Sequence, residues 1–231
     1  MNKSRYFISI ILLVFAIQVF ADDSIYVKEV PESKYDERVL RYRKHWAALI
    51  PTRFVIQNAG NMGQLSAGIG WGYGRRGQWE TDLLIGYIPK HQSSRTKLTM
   101  TLKENYIPWS LNVNRLFPSS KTKIGGQFSF EPLTTSLYVN TVYGHEFWKS
   151  QPGRYPDKYY RLTSTKFRLN IALGQRLTFV IPEKERKRVK SMSLFYEIST
   201  CDLYIRNKIE DSYLPLKDMI GLSIGIKIQT L

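Results

Sequence analysis

Leu65-Ser66-Ala67-Gly68-Ile69-Gly70-Trp71-Gly72-Tyr73-Gly74 is the stretch that decides how this chain folds. Leu65, Ala67, Ile69, Trp71 and Tyr73 alternate with Ser66 and four glycines. A period of two places successive side chains on opposite faces of a β-strand. One face is therefore apolar and aromatic, and the other is almost bare. A strand whose second face met water would carry Thr, Lys or Glu there, because glycine in a strand costs entropy and packs nothing. A bare face has a use where it looks into a crowded interior and leaves volume for large neighbours.

Working outward, Arg75-Arg76-Gly77-Gln78 reads as a tight hairpin connection. The segment beyond it carries Trp79, Thr81, Leu83, Ile85 and Tyr87 on one face, and Glu80, Asp82 and Gly86 on the other, with Leu84 as an exception. The same alternation returns at Leu98 to Lys103, Ser136 to Tyr143, Lys166 to Gly174, Ser193 to Ser199 and Ile220 to Gln229. With Arg53 to Gly60 as the first, eight strands are expected. An even number lets an antiparallel up-and-down barrel close. The long, aromatic Gly144 to Arg161 stretch is expected as an external loop. Asn112 to Gly126 and Pro182 to Lys190 are expected as turns at the opposite rim.

Upstream the pattern differs. Lys3 and Arg5, an apolar run from Tyr6 to Ile17, and Val19-Phe20-Ala21 have the layout of a cleaved signal peptide over residues 1–21. Residues 22–51 form an N-terminal segment. Within it a helix is expected from about Lys34 to Ile50, capped by Ser33 with Asp36 three residues on, and ended by Pro51. Tyr35, Val39, Tyr42, Trp46 and Leu49 share one face of it, and Arg38, Arg41, Arg43 and Lys44 lie mostly off that stripe. A basic amphipathic helix with Trp on its apolar face suits a membrane surface; packing on the barrel's end is the alternative. Residues 52–231 are the barrel domain.

The expected class is thus all-β: an eight-stranded antiparallel transmembrane β-barrel preceded by a short amphipathic helix. No segment after the leader is apolar enough to span as a helix, and closed barrels are the other way to satisfy backbone groups in lipid. Trp71, Tyr73 and Trp79 gather beside the 75–78 turn, with Tyr87 and Tyr143 expected at the other interface, as an aromatic girdle requires. The opposite face collects both signs of charge: Glu80, Asp82 and Glu197 with Lys103, Arg168, Arg176 and Lys227. In so narrow a barrel these are expected to pair as a polar plug rather than form a pore. A soluble exported β-barrel or sandwich, acting as a periplasmic carrier, is the competing reading of the same alternation.

Composition excludes several chemistries. The single cysteine, Cys201, rules out an intrachain disulfide and a multi-cysteine metal site. His45, His91 and His145 lack ligand spacing, and no cofactor is expected. The alternating glycines do not have nucleotide-loop spacing. The net charge is +15, or +13 without the leader's Lys3 and Arg5. In an exported protein that basic balance points to anionic lipid headgroups or lipopolysaccharide phosphates, not to nucleic acid.

In strand count, girdle and an aliphatic final strand from Ile220 to Leu231, residues 53–231 resemble the small eight-stranded outer-membrane barrels of the OmpA-transmembrane and OmpX-like group. Gly70-Trp71-Gly72-Tyr73-Gly74 and Trp79-Glu80-Thr81-Asp82 are similar to segments of uncharacterised exported barrel proteins. The resemblance implies an outer-membrane location and insertion by the barrel-assembly machinery. That group usually ends in an aromatic residue, whereas this chain ends in Leu231. His91, Ser93 and Glu104 resemble the base, nucleophile and orienting acid of the lipid A deacylase barrels, without that family's flanking Asn and Pro-Asn signatures. The helix before the barrel resembles the lipid A palmitoyltransferase layout, with no matching catalytic His, Asp and Ser after it. Three roles follow: a non-enzymatic structural or surface-interaction barrel, which these residues favour; an enzyme modifying acyl chains of lipid A or phospholipid; and the soluble carrier.

Overall fold

The computed structural model describes residues 33–74, 77–90, 96–113, 127–143, 167–202, 204, 205, 208 and 219–230. The leader, the 144–161 stretch, His91 and Ser93 lie outside them. The chain divides into two units, Met1–Ile50 and Pro51–Leu231.

In the first unit, helix α1 covers Lys34–Ala48. Ser33 has extended backbone, and its Oγ accepts from the Asp36 N–H at 3.2 Å while donating to Asp36 Oδ2 at 2.7 Å. This satisfies one of the backbone donors that every helix N-terminus leaves open. Asp36 and Glu37 in the first turn also suit the positive end of the helix dipole. Tyr35, Tyr42, Trp46 and Leu49 are exposed, and the rings of Tyr42 and Trp46 meet edge-on at 5.9 Å.

The second unit is a closed antiparallel meander. Its strands are β1 (Arg53–Ala59), β2 (Leu65–Tyr73), β3 (Trp79–Ile88), β4 (Lys97–Tyr106), β5 (Leu111–Asn112), β6 (Gln127–Val142), β7 (Phe167–Val180), β8 (Ser191–Cys201) and β9 (Gly221–Gln229). Successive strands pair except β4 and β5, which both pair with β6, and β1 pairs with β9. β5 continues β4: Tyr106 faces Thr135 and Leu111 faces Phe130, the same register after a gap. Eight staves therefore close the barrel, and no edge strand is left unpaired.

The strands expected from the alternation are all present, but β6 and β7 run further than the sequence pattern shows. In β6 the cause is a bulge. Glu131 faces Arg176 while Thr134 faces Gly174, so Pro132 and Leu133 together oppose Gln175. One extra residue swaps the faces, and alternation read upstream from Ser136 goes out of phase. A proline lacks the ladder donor, and a bulge is one of the few places in a sheet that accepts it.

The direction of the staves defines two ends. β1 starts and β9 finishes at the terminal rim, which also holds the 74–78 turn, β5, the start of β6 and the 181–190 connection. The opposite rim carries the 60–64 turn and the ends of β3, β6 and β8.

Polarity is inverted relative to a water-soluble domain. Among the described residues, twenty-one polar or charged side chains are buried against ten hydrophobic ones. The outward positions are aliphatic and aromatic. Leu98, Met100 and Leu102 of β4, Leu169, Ile171 and Leu173 of β7, and Leu222, Ile224 and Ile226 of β9 are all exposed. The few apolar interior residues, Val55, Met62, Leu84, Tyr138, Ala172 and Phe195, form one cluster inside the bore. Leu84, the exception to β3's alternation, belongs to that layer.

Glycine makes the interior possible. A Cβ on Gly70 would stand 2.2 Å from Asp82 Oδ1, and one on Gly72 would stand 2.1 Å from Arg53 Nη2. These positions are empty because neighbouring strands send charged side chains across them.

Candidate functional site

The interior near the terminal rim is one connected set of ion pairs, built by strands that face each other across the bore. Glu80 on β3 is its centre. Its Oε1 takes the Arg176 guanidinium of β7 at 2.7 Å and also the Arg53 guanidinium of β1. Its Oε2 takes the Lys227 ammonium of β9 at 2.8 Å. Lys227 reaches on to Asp82 Oδ2 at 2.7 Å, and Arg176 Nε donates to Glu131 Oε2 at 2.7 Å. Asn105 Nδ2 donates to Asp82 Oδ2 at 2.8 Å, and its Oδ1 accepts from the Ser136 hydroxyl at 2.9 Å. Ser136 also donates to Glu197 Oε1 at 3.3 Å, and Glu197 Oε2 pairs with Lys103 at 2.5 Å.

The stoichiometry is balanced. Arg53, Lys103, Arg176 and Lys227 supply four cations, and Glu80, Asp82, Glu131 and Glu197 supply four carboxylates. All eight side chains are at most 10% exposed. Charges this deep are tolerable only when paired and hydrogen-bonded, since removing an ion from water costs several kcal/mol. Both ammonium groups approach the Phe195 ring, with Lys103 Nζ at 5.4 Å and Lys227 Nζ at 5.5 Å from its centre. Its ring occupies the space that Gly225 leaves on β9, where a Cβ would approach it to 2.4 Å. At this level the bore is filled by side chains.

Toward the opposite rim the fully buried side chains are uncharged: Gln57, Thr99, Thr101, Asn140, Asn170 and Ser223 lie there, with Arg168 half-buried beside them. The short turn Gly60–Met62 turns Met62 inward, where it is 1% exposed. Ser66 Oγ donates to Met62 O at 3.4 Å, Thr99 also donates to that carbonyl, and Gln57 Nε2 approaches the sulfur at 3.8 Å. Toward the terminal rim the charged layer is the floor of a vestibule of about 440 Å³.

Of the interior residues expected from the sequence, Glu80, Asp82, Lys103, Arg176, Glu197 and Lys227 meet in the network. Arg168 sits half-buried near the opposite rim, level with Asn140 and away from the network. Arg53 and Glu131 belong to the network although the sequence reading did not select them. Arg53 shares a face with Val55 and Gln57, opposite Phe54 and Ile56, and that alternation was available to find it. Glu131 lies upstream of the bulge, where the alternation had changed phase.

Of the expected girdle, Tyr73 and Trp79 are exposed at the terminal rim with Trp71 half-buried beside them. Tyr87 and Tyr143 are exposed at the other rim. Tyr106 and Trp109 add to the terminal ring, and the Trp79 and Tyr106 rings pack at 4.6 Å. Glu104 is on the outward face of β4 at this same rim. Its Oε2 accepts from Thr81 Oγ1 at 2.6 Å, and its Oε1 accepts from the Tyr73 hydroxyl. His91 and Ser93, its proposed partners, lie outside the described residues. Among the described residues no group of His, Cys, Asp and Glu is arranged to hold a metal ion. Cys201 is buried and forms no disulfide.

The fold and its interior define a small closed antiparallel barrel with a charge-balanced core. No family model matches the chain, and no curated protein or solved structure matches it.

Proposed function

We propose that the mature chain is an outer-membrane β-barrel with a structural or surface-interaction role. The observation that carries this reading is the inverted polarity. The barrel's exposed outer face is aliphatic, while its interior holds eight charged groups paired with one another. In water that arrangement would forfeit most of the hydrophobic stabilisation that folding depends on. In lipid it is the favourable one, because the outer face meets hydrocarbon and each stave pairs with a neighbour on both sides over most of its length. Five of the strands, β2, β3, β4, β8 and β9, contain 9 to 11 residues, the length a tilted strand needs to cross a bilayer.

The leader, the aromatic rings at both rims and the basic helix face fit the same location. In this reading the rim where β1 starts and β9 ends faces the periplasm, and the 144–161 stretch is an external loop toward lipopolysaccharide. Barrel-assembly machinery would insert the chain. The paired core and the inward Met62 favour a plugged barrel over a conducting one. The reading is tested by fractionation: the mature protein stays in the membrane pellet through carbonate and urea washes. Release into the supernatant would overturn it and favour a soluble carrier.

A further inference from the structure

Among the described residues the barrel wall is interrupted where β4 gives way to β5, and the interruption adjoins the vestibule. Pairing of β4 with β6 stops at Tyr106 and Thr135 and resumes at Leu111 and Phe130. The intervening Ile107–Ser110 run faces the β6 bulge, and each side carries a proline, Pro108 and Pro132, with no N–H to give. A second cavity of about 260 Å³ lies here, lined in part by Ile107, Pro108 and Trp109. It shares Gly77, Ser110, Glu131 and Arg176 with the vestibule. Trp109 is 53% exposed, so the apolar lip of this cavity faces outward at the aromatic rim.

The electrostatics of the joined cavities select a ligand class. The network below is neutral, so a simple anion or cation meets no uncompensated partner there. Among the described residues, Glu131 Oε1 accepts two long hydroxyl contacts, from Ser129 at 3.2 Å and Ser110 at 3.3 Å, which an ammonium can replace. Lys190, exposed, lines the mouth, and no ion pair among the described residues engages it. A molecule with a phosphate for Lys190, an ammonium for Glu131 and an apolar tail for the Pro108–Trp109 lip satisfies all three. We propose that the vestibule and the wall gap form a site for a phospholipid with a primary-amine zwitterionic headgroup, taken from the surrounding leaflet. This rests on the membrane reading above.

The test uses full-length mature protein folded in a non-ionic detergent, its folded state verified by heat-modifiable migration. Dihexanoyl phosphatidylethanolamine is titrated in while tryptophan emission is followed, with Trp109→Phe identifying the reporter. Dihexanoyl phosphatidylglycerol, which lacks the amine, runs in parallel. The expected result is saturable binding of the amine lipid that alters Trp109 emission. Phosphatidylglycerol should bind about tenfold more weakly, and Ser110→Trp, which fills the shared wall at an exposed position, should weaken the amine lipid by about tenfold. Equal affinity for the two lipids, absence of saturable binding, or an unchanged affinity in Ser110→Trp overturns the proposal. A heat-modifiable, carbonate-resistant protein that fails this titration loses the lipid site alone. Release by carbonate removes the membrane reading itself.

Discussion

Replacing Glu80 with glutamine keeps the shape of the side chain and removes one charge from the centre of the network. Glu80 is 3% exposed and pairs with three cations. Arg176 would keep Glu131, and Lys227 would keep Asp82. Arg53 would keep no carboxylate among the described residues, so one buried cation goes uncompensated. Breaking a buried pair by deleting one partner costs about 3–5 kcal/mol. Against a total stability of about 5–15 kcal/mol for a domain, Glu80→Gln is expected to remove about a fifth of it or more. The companion Arg53→Met should also destabilise, because it leaves Glu80 with two partners in place of three. The double variant restores neutrality, and its loss should fall short of the summed single losses by about 2 kcal/mol. Urea unfolding in detergent micelles, read by tryptophan emission and by the fraction of heat-resistant folded band, measures all three variants. If Glu80→Gln lies within about 0.5 kcal/mol of the native protein, or the single losses simply add, the network is screened by water and the closed-interior argument fails.

Two further substitutions separate outside from inside. Ile224→Arg puts a charge on the exposed outer face of β9; in a bilayer it should cost about 2–4 kcal/mol and lower folding yield into vesicles, whereas in a soluble barrel it is neutral by the same urea titration. Gly68→Ala would place a Cβ 1.9 Å from the backbone carbonyl of Leu83, so β3 must shift, at about 1–3 kcal/mol. Gly72→Ala should cost less, because its Cβ meets the tip of the Arg53 side chain, which can swing; equal losses in the two variants would contradict the strand spacing.

Much of this fold is legible in the sequence because alternation survives wherever a stave is uninterrupted. The 65–74 run shows both faces at once, and its glycines foretell the crowding that Arg53 and Asp82 produce. Legibility fails where a local device breaks the period. The Pro132–Leu133 bulge changes phase and conceals the first half of β6 and with it Glu131. Lumen partners are legible as residue types but not as pairs, because Lys227 meets Glu80 only through barrel closure, across 147 residues of chain. Glu104 was legible only as a residue type in a motif; that its strand turns it outward to Tyr73 and Thr81 comes from the fold.

The central claim is that the aliphatic outer face meets lipid, and gel mobility after detergent extraction tests it most directly. A membrane barrel held by eight paired staves resists cold dodecyl sulfate, so the unboiled mature protein should migrate at a different apparent mass from the boiled one. Identical migration of the two samples, from protein shown to be folded by its circular dichroism, would contradict the account.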